Sequence, residues 1–501
     1  MKFLFFSLLS LMTTMSAISQ NYEISLAINT RSDTVLLGSY FASRERMHVH
    51  DTVVLRNGQG VFRGDRVLPK GMYFLYNEGR ILFDIIIGDN QQFGIVADTV
   101  DFINQTKFTS SPDNDAFYEF RQYVVARNNR FQQLNEQFRN ATTDDERNDI
   151  RTKWQDLEKE GDDFIEKLIQ DNNHLYASKV VRSFIPLKLP EPPRNELGQI
   201  TDSMYVYRWY RAHFFDNLNI YDPDMLRTQL YQEKLFDFLN RFIPQHTDTV
   251  CVEIDKILTK AKGDDAVFRF IVVTLFNHFL ESTDLIRGYV IPENVWAHIT
   301  EKWYIDFAQS NNSENVDNLK KELNDIKPNL IGKQAPQIEM LMILPPEHFR
   351  AAAMDTAIKF DLHAGRMVND FRRDNQLKSK YTVLFFWDFT CSHCKAAIQE
   401  LYTVWEENRN KGLQVITVQT HLTERRDKGQ WIDYVNDRNM FGTGWHNAWS
   451  PYDHKFREYY NIASTPVVYL LDENFDIIIR GNLRRQIGIE TIKDFFDRQV
   501  Q

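Results

Sequence analysis

Hydrophobic and polar positions change their rhythm twice along this chain. Between residue 22 and about residue 105, short alternating or apolar runs recur at Tyr22–Ile28, Thr34–Tyr40, Thr52–Leu55, Gly71–Tyr76, Leu82–Ile87 and Gln92–Ala97. Turn signals such as Asn57-Gly58, Asn77-Glu78-Gly79 and Gly88-Asp89-Asn90 separate them. That spacing predicts an all-β part, an antiparallel sandwich or open barrel. From about residue 113 the period becomes helical, with Phe117, Phe120, Val124, Phe131, Leu134 and Phe138 on one face. Thr143-Asp144-Asp145-Glu146 reads as a capping box opening a second helix with the face Ile150, Trp154, Leu157, Phe164 and Leu168. The two predict a long antiparallel helix hairpin. A proline-rich connector from Ile185-Pro186 to Pro192-Pro193 follows, and further helices continue to about residue 326.

From Gly332 to the end, strands alternate with helices, which predicts an α/β part. The strand Tyr381–Trp387 leads into a helix over 394–409, and the strand Leu413–Thr420 into a helix over 429–438. Extended Trp445–Trp449, a helix over 453–460, strands Val467–Leu471 and Phe475–Arg480, and a final helix over 489–499 complete the series. The expected division is a leader over 1–19, a β-rich part over 20–110, a helical part over 111–328 and an α/β part over 329–501.

Composition narrows the function classes. Of 501 residues, 43% are hydrophobic and 26% charged, ordinary globular values that imply no long disordered tract. Acidic residues outnumber basic ones by 69 to 59, for a net charge of -10, which argues against nucleic acid as the main partner. Lys2, the apolar run Phe3–Met12 and the small residues Ala17 and Ser19, at -3 and -1 of a cut after Ser19, have the layout of a cleavable secretory signal peptide. An exported, periplasmic protein is therefore expected. With three cysteines in the whole chain, it does not rest on a disulfide framework.

Two of those cysteines lie in Cys391-Ser392-His393-Cys394, where a strand hands over to a helix. Unpaired N–H groups at a helix start favour a negative sulfur, so the pair is placed for thiol–disulfide exchange. A zinc site would need a second ligand pair, and none accompanies the first. The third cysteine, Cys251, falls on the helical face Cys251, Ile254, Ile257, Leu258 and Ala261, and reads as a small buried hydrophobe. His48 and His50 share a strand face, but two ligands without a third read as an exposed edge, not a metal site. Gly58-Gln59-Gly60 reads as a hairpin turn, and the aromatic run Tyr205–Phe215 as packing between helices.

Roughly residues 329–501 resemble the thioredoxin superfamily, in its exported peroxiredoxin-like and cytochrome-maturation branch. Three segments carry the resemblance: Gly332-Lys333-Gln334-Ala335-Pro336, then Phe386-Trp387 ahead of Cys391-x-x-Cys394, then Ser464-Thr465-Pro466-Val467. The resemblance implies that Cys391 attacks, Cys394 resolves, and a cis Pro466 faces Cys391. It further implies that Thr465 pairs with an extended substrate, with Trp387 beside the substrate site. His393 and Lys395 are expected to tune the sulfur. Two positions depart from the family pattern: Thr390 replaces the tryptophan before the first cysteine, and Phe385 replaces a buried acid. The residues before Cys391 lack the pattern of peroxide-reducing relatives. The segment ahead of residue 329 resembles uncharacterised domains found before exported thioredoxin-like modules.

The expected activity is dithiol–disulfide exchange with protein substrates, as a reductase fed by a membrane-bound electron donor. No metal is expected and no cofactor beyond the cysteine pair itself. The alternatives are an oxidising or isomerising catalyst, or a binding and assembly protein that uses the last part as a scaffold. Self-association is left open.

Overall fold

The computed structural model describes residues 22–30, 32–282, 291–311, 314–343, 357–362, 366–367, 379–422, 425–450, 455–482 and 489–498. The expected signal peptide lies outside them. The chain forms two compact units: residues up to Ile243 with Lys260–Phe268, and Pro244–Thr259 with Arg269 onward.

The first unit opens with eight strands: β1 (Tyr22–Ile28), β2 (Thr34–Phe41), β3 (Ser43–Val54), β4 (Gln59–Gly64), β5 (Gly71–Asn77), β6 (Arg80–Ile87), β7 (Gln92–Ala97) and β8 (Lys107–Thr109). Among the described residues they make two four-stranded sheets, β4-β1-β7-β8 and β3-β2-β5-β6. Alternation is why β1 is a half-buried strand: Ile24, Leu26 and Ile28 face inward while Glu23 and Ser25 are exposed. The sheet is not wholly antiparallel as expected, because β1 runs parallel to β7. Two strands escaped the sequence reading. β8 has three residues, and β4 begins inside the supposed turn Gly58-Gln59-Gly60. The turn itself is Asn57-Gly58, with φ of 51° and 73°, the left-handed pair that a two-residue hairpin demands. His50 is half-buried on β3, with Nε2 2.8 Å from Ser39 Oγ, and burial pulls its pKa down to about 4.

The helix hairpin is present as Pro112–Asn140 and Asp144–Asp171. Both halves of the capping box form: Thr143 Oγ1 accepts from Glu146 N at 3.2 Å, and Glu146 Oε2 accepts from Thr143 N at 3.0 Å. Stacked Tyr123 and Phe164 join the two helices, as does the two-fold Arg130–Glu160 contact at 2.7 and 3.0 Å. The aromatic run packs as expected, with Phe214 buried among Tyr210, Phe238 and Phe242.

The second unit is built on β9 (Glu339–Ile343), β10 (Ala357–Asp361), β11 (Arg366–Met367), β12 (Tyr381–Trp387), β13 (Leu413–Gln419), β14 (Trp445–Trp449), β15 (Val467–Leu471) and β16 (Ile477–Asn482). They form one sheet in the order β11-β10-β9-β14-β13-β12-β15-β16. Central β12 runs parallel to β13 and antiparallel to β15. It is buried along its whole length because both faces are covered. Val383, Phe385 and Trp387 enter one core with Ile398, Leu401 and Trp405 of the helix Ser392–Asn408. Leu384 and Phe386 enter the other core with Tyr460 and Tyr469. Each such side chain contributes about 1.5–3 kcal/mol on burial. The glycine-containing entry segment is stitched to the start of β16, through Gly332 N to Ile477 O at 2.8 Å and Ala335 N to Phe475 O at 2.9 Å.

Helix Pro292–Ile299 meets this sheet through a buried ion pair. Arg480 Nη1 lies 2.9 Å from Glu293 Oε1, with side chains only 6% and 9% exposed. Removing one partner strands a charge in the interior, which costs about 3–5 kcal/mol. Glu293→Ala should therefore weaken this unit by about that amount in urea unfolding, and Glu293→Leu with Arg480→Met should recover most of it. A loss below about 1 kcal/mol for the single change would contradict the pairing.

Candidate active site

The spacing of one helix decides how the two sulfurs differ. In Ser392–Asn408 the buried stripe runs Cys394, Ile398, Leu401 and Trp405, at intervals of four, three and four. Cys394 is the first member of that stripe and is fully buried. Cys391 precedes it by one turn, caps the helix and stays partly exposed. Both are free thiols. The Cys394 backbone N–H donates to Cys391 Sγ at 3.3 Å, so an unpaired helix-start donor is spent on the outer sulfur. Burial, followed by the hydrogen bond with Cys391, pushes the Cys394 thiol up to about 12.

The turn that delivers Cys391 is held from three directions. Asp388 accepts from Thr390 N at 2.8 Å and Thr390 Oγ1 at 2.7 Å, and its own carbonyl accepts from Cys391 N at 3.1 Å. Buried Gln419, at the end of β13, accepts from Phe389 N and donates to His421 O, both at 3.0 Å. On the far side the Thr465 carbonyl oxygen sits 3.9 Å from Cys391 Sγ, and the Thr465–Pro466 peptide is cis. Cys391, Cys394, Thr465 and Pro466 are thus brought together.

Trp387 is a correction. It is not a substrate contact, because β12 is covered on both faces and Trp387 is fully buried, packed against Tyr434 at 5.8 Å. His393 is exposed, with no hydrogen-bond or ion-pair partner among the described residues. Lys395 rests over the Tyr434 ring at 5.4 Å, and Arg438 approaches the same ring at 3.8 Å. Phe385, in place of the family's acid, is buried and supplies no proton acceptor to Cys394. Sequence reasoning missed Asp388 and Gln419. Asp two residues before Thr ahead of a helix is a turn signal that could have revealed the first. A buried glutamine closing an apolar strand gives no such signal.

The thioredoxin-like family model matches residues 379–477. These residues are a thioredoxin-like domain. A second model, a domain of unknown function (DUF5106), matches residues 163–326. No curated protein matches the chain. Among solved structures, a thioredoxin-like protein from Bacteroides caccae shares 17% identity at a TM-score of 0.38, covering 63% of this chain and 99% of that one. A domain of a possible thiol-disulfide isomerase from Cytophaga hutchinsonii shares 30% identity at a TM-score of 0.25, covering 34% and 92%. The thioredoxin domain of a thiol-disulfide oxidoreductase from Bacteroides vulgatus shares 17% at 0.25, covering 34% and 99%.

The three thiols of the chain, two in the thioredoxin-like domain and Cys251 ahead of it, should separate by reactivity. Cys251 is partly buried, not fully buried as expected, and burial and then the charges of Asp255 and Asp248 push its thiol up to about 12. A raised thiol pKa lowers the thiolate fraction roughly tenfold per unit at any pH below it. Iodoacetamide at pH 8 should alkylate Cys391 first, with Cys251 and Cys394 at least tenfold slower until the protein is unfolded. Peptide mass mapping that found Cys394 modified as fast as Cys391 would contradict this asymmetry.

Proposed function

We propose that this chain is an exported thiol–disulfide oxidoreductase that reduces disulfides in protein substrates. The observation that carries the reading is the pairing of an accessible Cys391 sulfur, bonded by a helix-start N–H, with a buried Cys394 one turn deeper. Cys391 as thiolate attacks one substrate sulfur, and the substrate S–S bond breaks. One cysteine thiolate leaves and takes up a proton, and an enzyme–substrate disulfide remains. Cys394 then loses its proton and attacks Cys391 Sγ, releasing the second substrate thiolate. Two electrons pass to the substrate, and the enzyme keeps a Cys391–Cys394 disulfide.

The Thr465 backbone, beside Cys391, is the edge along which an extended substrate would lie. Proline at 466 adds no N–H there. The cysteine pair holds both electrons, so the proposed step needs no other cofactor. A membrane-bound donor, as the family resemblance implies, would return the pair to the dithiol. Among the described residues no helix is long and apolar enough to cross a membrane. Export rests on the layout of the first nineteen residues.

Direction follows from how far the reduced form is stabilised. A strong oxidant owes its potential to a stabilised thiolate. Here the His393 side chain stands in solvent, where water screens its influence on the sulfur, and Cys394 is held as a thiol by burial. Both favour a reductase over a disulfide-forming catalyst.

Turbidimetric insulin reduction should therefore require Cys391, with Cys391→Ser falling to the uncatalysed background. Equilibration with glutathione should give a potential near the thioredoxin value of about -270 mV, not the about -120 mV of an oxidant. Undiminished insulin reduction by Cys391→Ser would leave the binding and assembly reading standing.

A further inference from the structure

The first unit contains a cavity that the redox chemistry leaves unused. Helix Asp144–Asp171, the segment after Ser183 and helix Tyr205–His213 line a solvent-open cleft of about 440 Å³, within the range of small-ligand sites. Nearly all of its lining falls inside the match to the domain of unknown function. Its apolar wall includes Ile165, Ile169, Leu187 and Trp209, the last drawn from the aromatic run that otherwise packs between helices.

The charged groups of the cavity fall into two sets. Asp162 is matched by Lys188 at 3.2 Å, and Asp216 by His213 Nδ1 at 2.6 Å. The Glu166 carboxylate meets only the neutral amide of Gln170, at 3.4 Å, and the Arg182 guanidinium has no ion-pair or hydrogen-bond partner among the described residues. One carboxylate and one guanidinium therefore remain available around an apolar floor. An anionic ligand would answer Arg182 but face Glu166 unpaired, and a cationic one would do the reverse. A molecule with both charges and an apolar body satisfies both. Guanidinium offers a carboxylate two parallel N–H donors, which fixes which end goes where.

We propose that this cavity binds a short apolar peptide with free ends. Its carboxylate pairs with Arg182, its ammonium with Glu166, and its side chains lie against Ile165, Ile169, Leu187 and Trp209. The site is independent of Cys391 and Cys394 and stands or falls without them.

Isothermal titration of the full chain with leucyl-leucine tests it against the same dipeptide acetylated at one end and amidated at the other. The free dipeptide should bind at least tenfold more tightly than the doubly capped one, a comparison that needs no variant. Arg182→Gln and Glu166→Gln should each weaken the free dipeptide at least tenfold, while circular dichroism matches the parent. Both positions are exposed, so the fold should tolerate either change. Equal binding of free and capped dipeptide, binding indifferent to both variants, or no heat at millimolar dipeptide would each overturn the proposal.

Discussion

A single bond from a helix start to a sulfur organises the chemistry of this chain. The Cys394 N–H has no partner inside its own helix, and the nearest acceptor one turn back is Cys391 Sγ at 3.3 Å. That bond exists because Cys391 caps the helix, and Cys391 caps the helix because Cys394 must enter the core. Ile398, Leu401 and Trp405 fix the rotation of the helix by burying their stripe, and Cys394 lies on the same line. Shifting the stripe by one residue would carry the inner sulfur towards solvent and undo the division of labour between the two.

The strand ahead of the helix has the matching task. β12 is anchored between β13 and β15 and buried on both faces, so its end is a fixed point. The chain must turn sharply there, and the turn is tied by Asp388 from below and Gln419 from the side. Such bonds hold a reactive group to a narrow geometry, which is what an in-line exchange between sulfurs demands. Thr465 closes the third side, on a loop that leads directly into β15.

Some of this was legible in the residues, for identifiable reasons. The strand Tyr381–Trp387, the cap at Thr143 and the hairpin at Asn57-Gly58 announce themselves through local chemistry, so expectation and structure agree within a residue or two. Cys391, Cys394, Thr465 and Pro466, though 74 positions separate Cys391 from Thr465, could be placed together because the family resemblance joins the two segments. Trp387 could not be placed correctly, since its burial depends on what covers β12, not on its own neighbours in sequence. The parallel pairing of β1 with β7 and the addition of β9 to the sheet beside β14 are likewise products of long-range pairing. Short strands such as β8 and β11 carry too few residues to show a period. The Glu293–Arg480 pair joins residues far apart in the chain, and nothing local marks either as a partner.

The most direct measurement of the account is to stop the exchange halfway. A Cys394→Ser chain, incubated with a disulfide-containing protein and resolved without reductant, should accumulate a one-to-one covalent adduct joined through Cys391. The adduct should dissolve on adding dithiothreitol. An adduct joined through Cys251, or none while the unsubstituted chain turns over the same substrate, would contradict the assignment of the outer sulfur as attacker and the inner one as resolver.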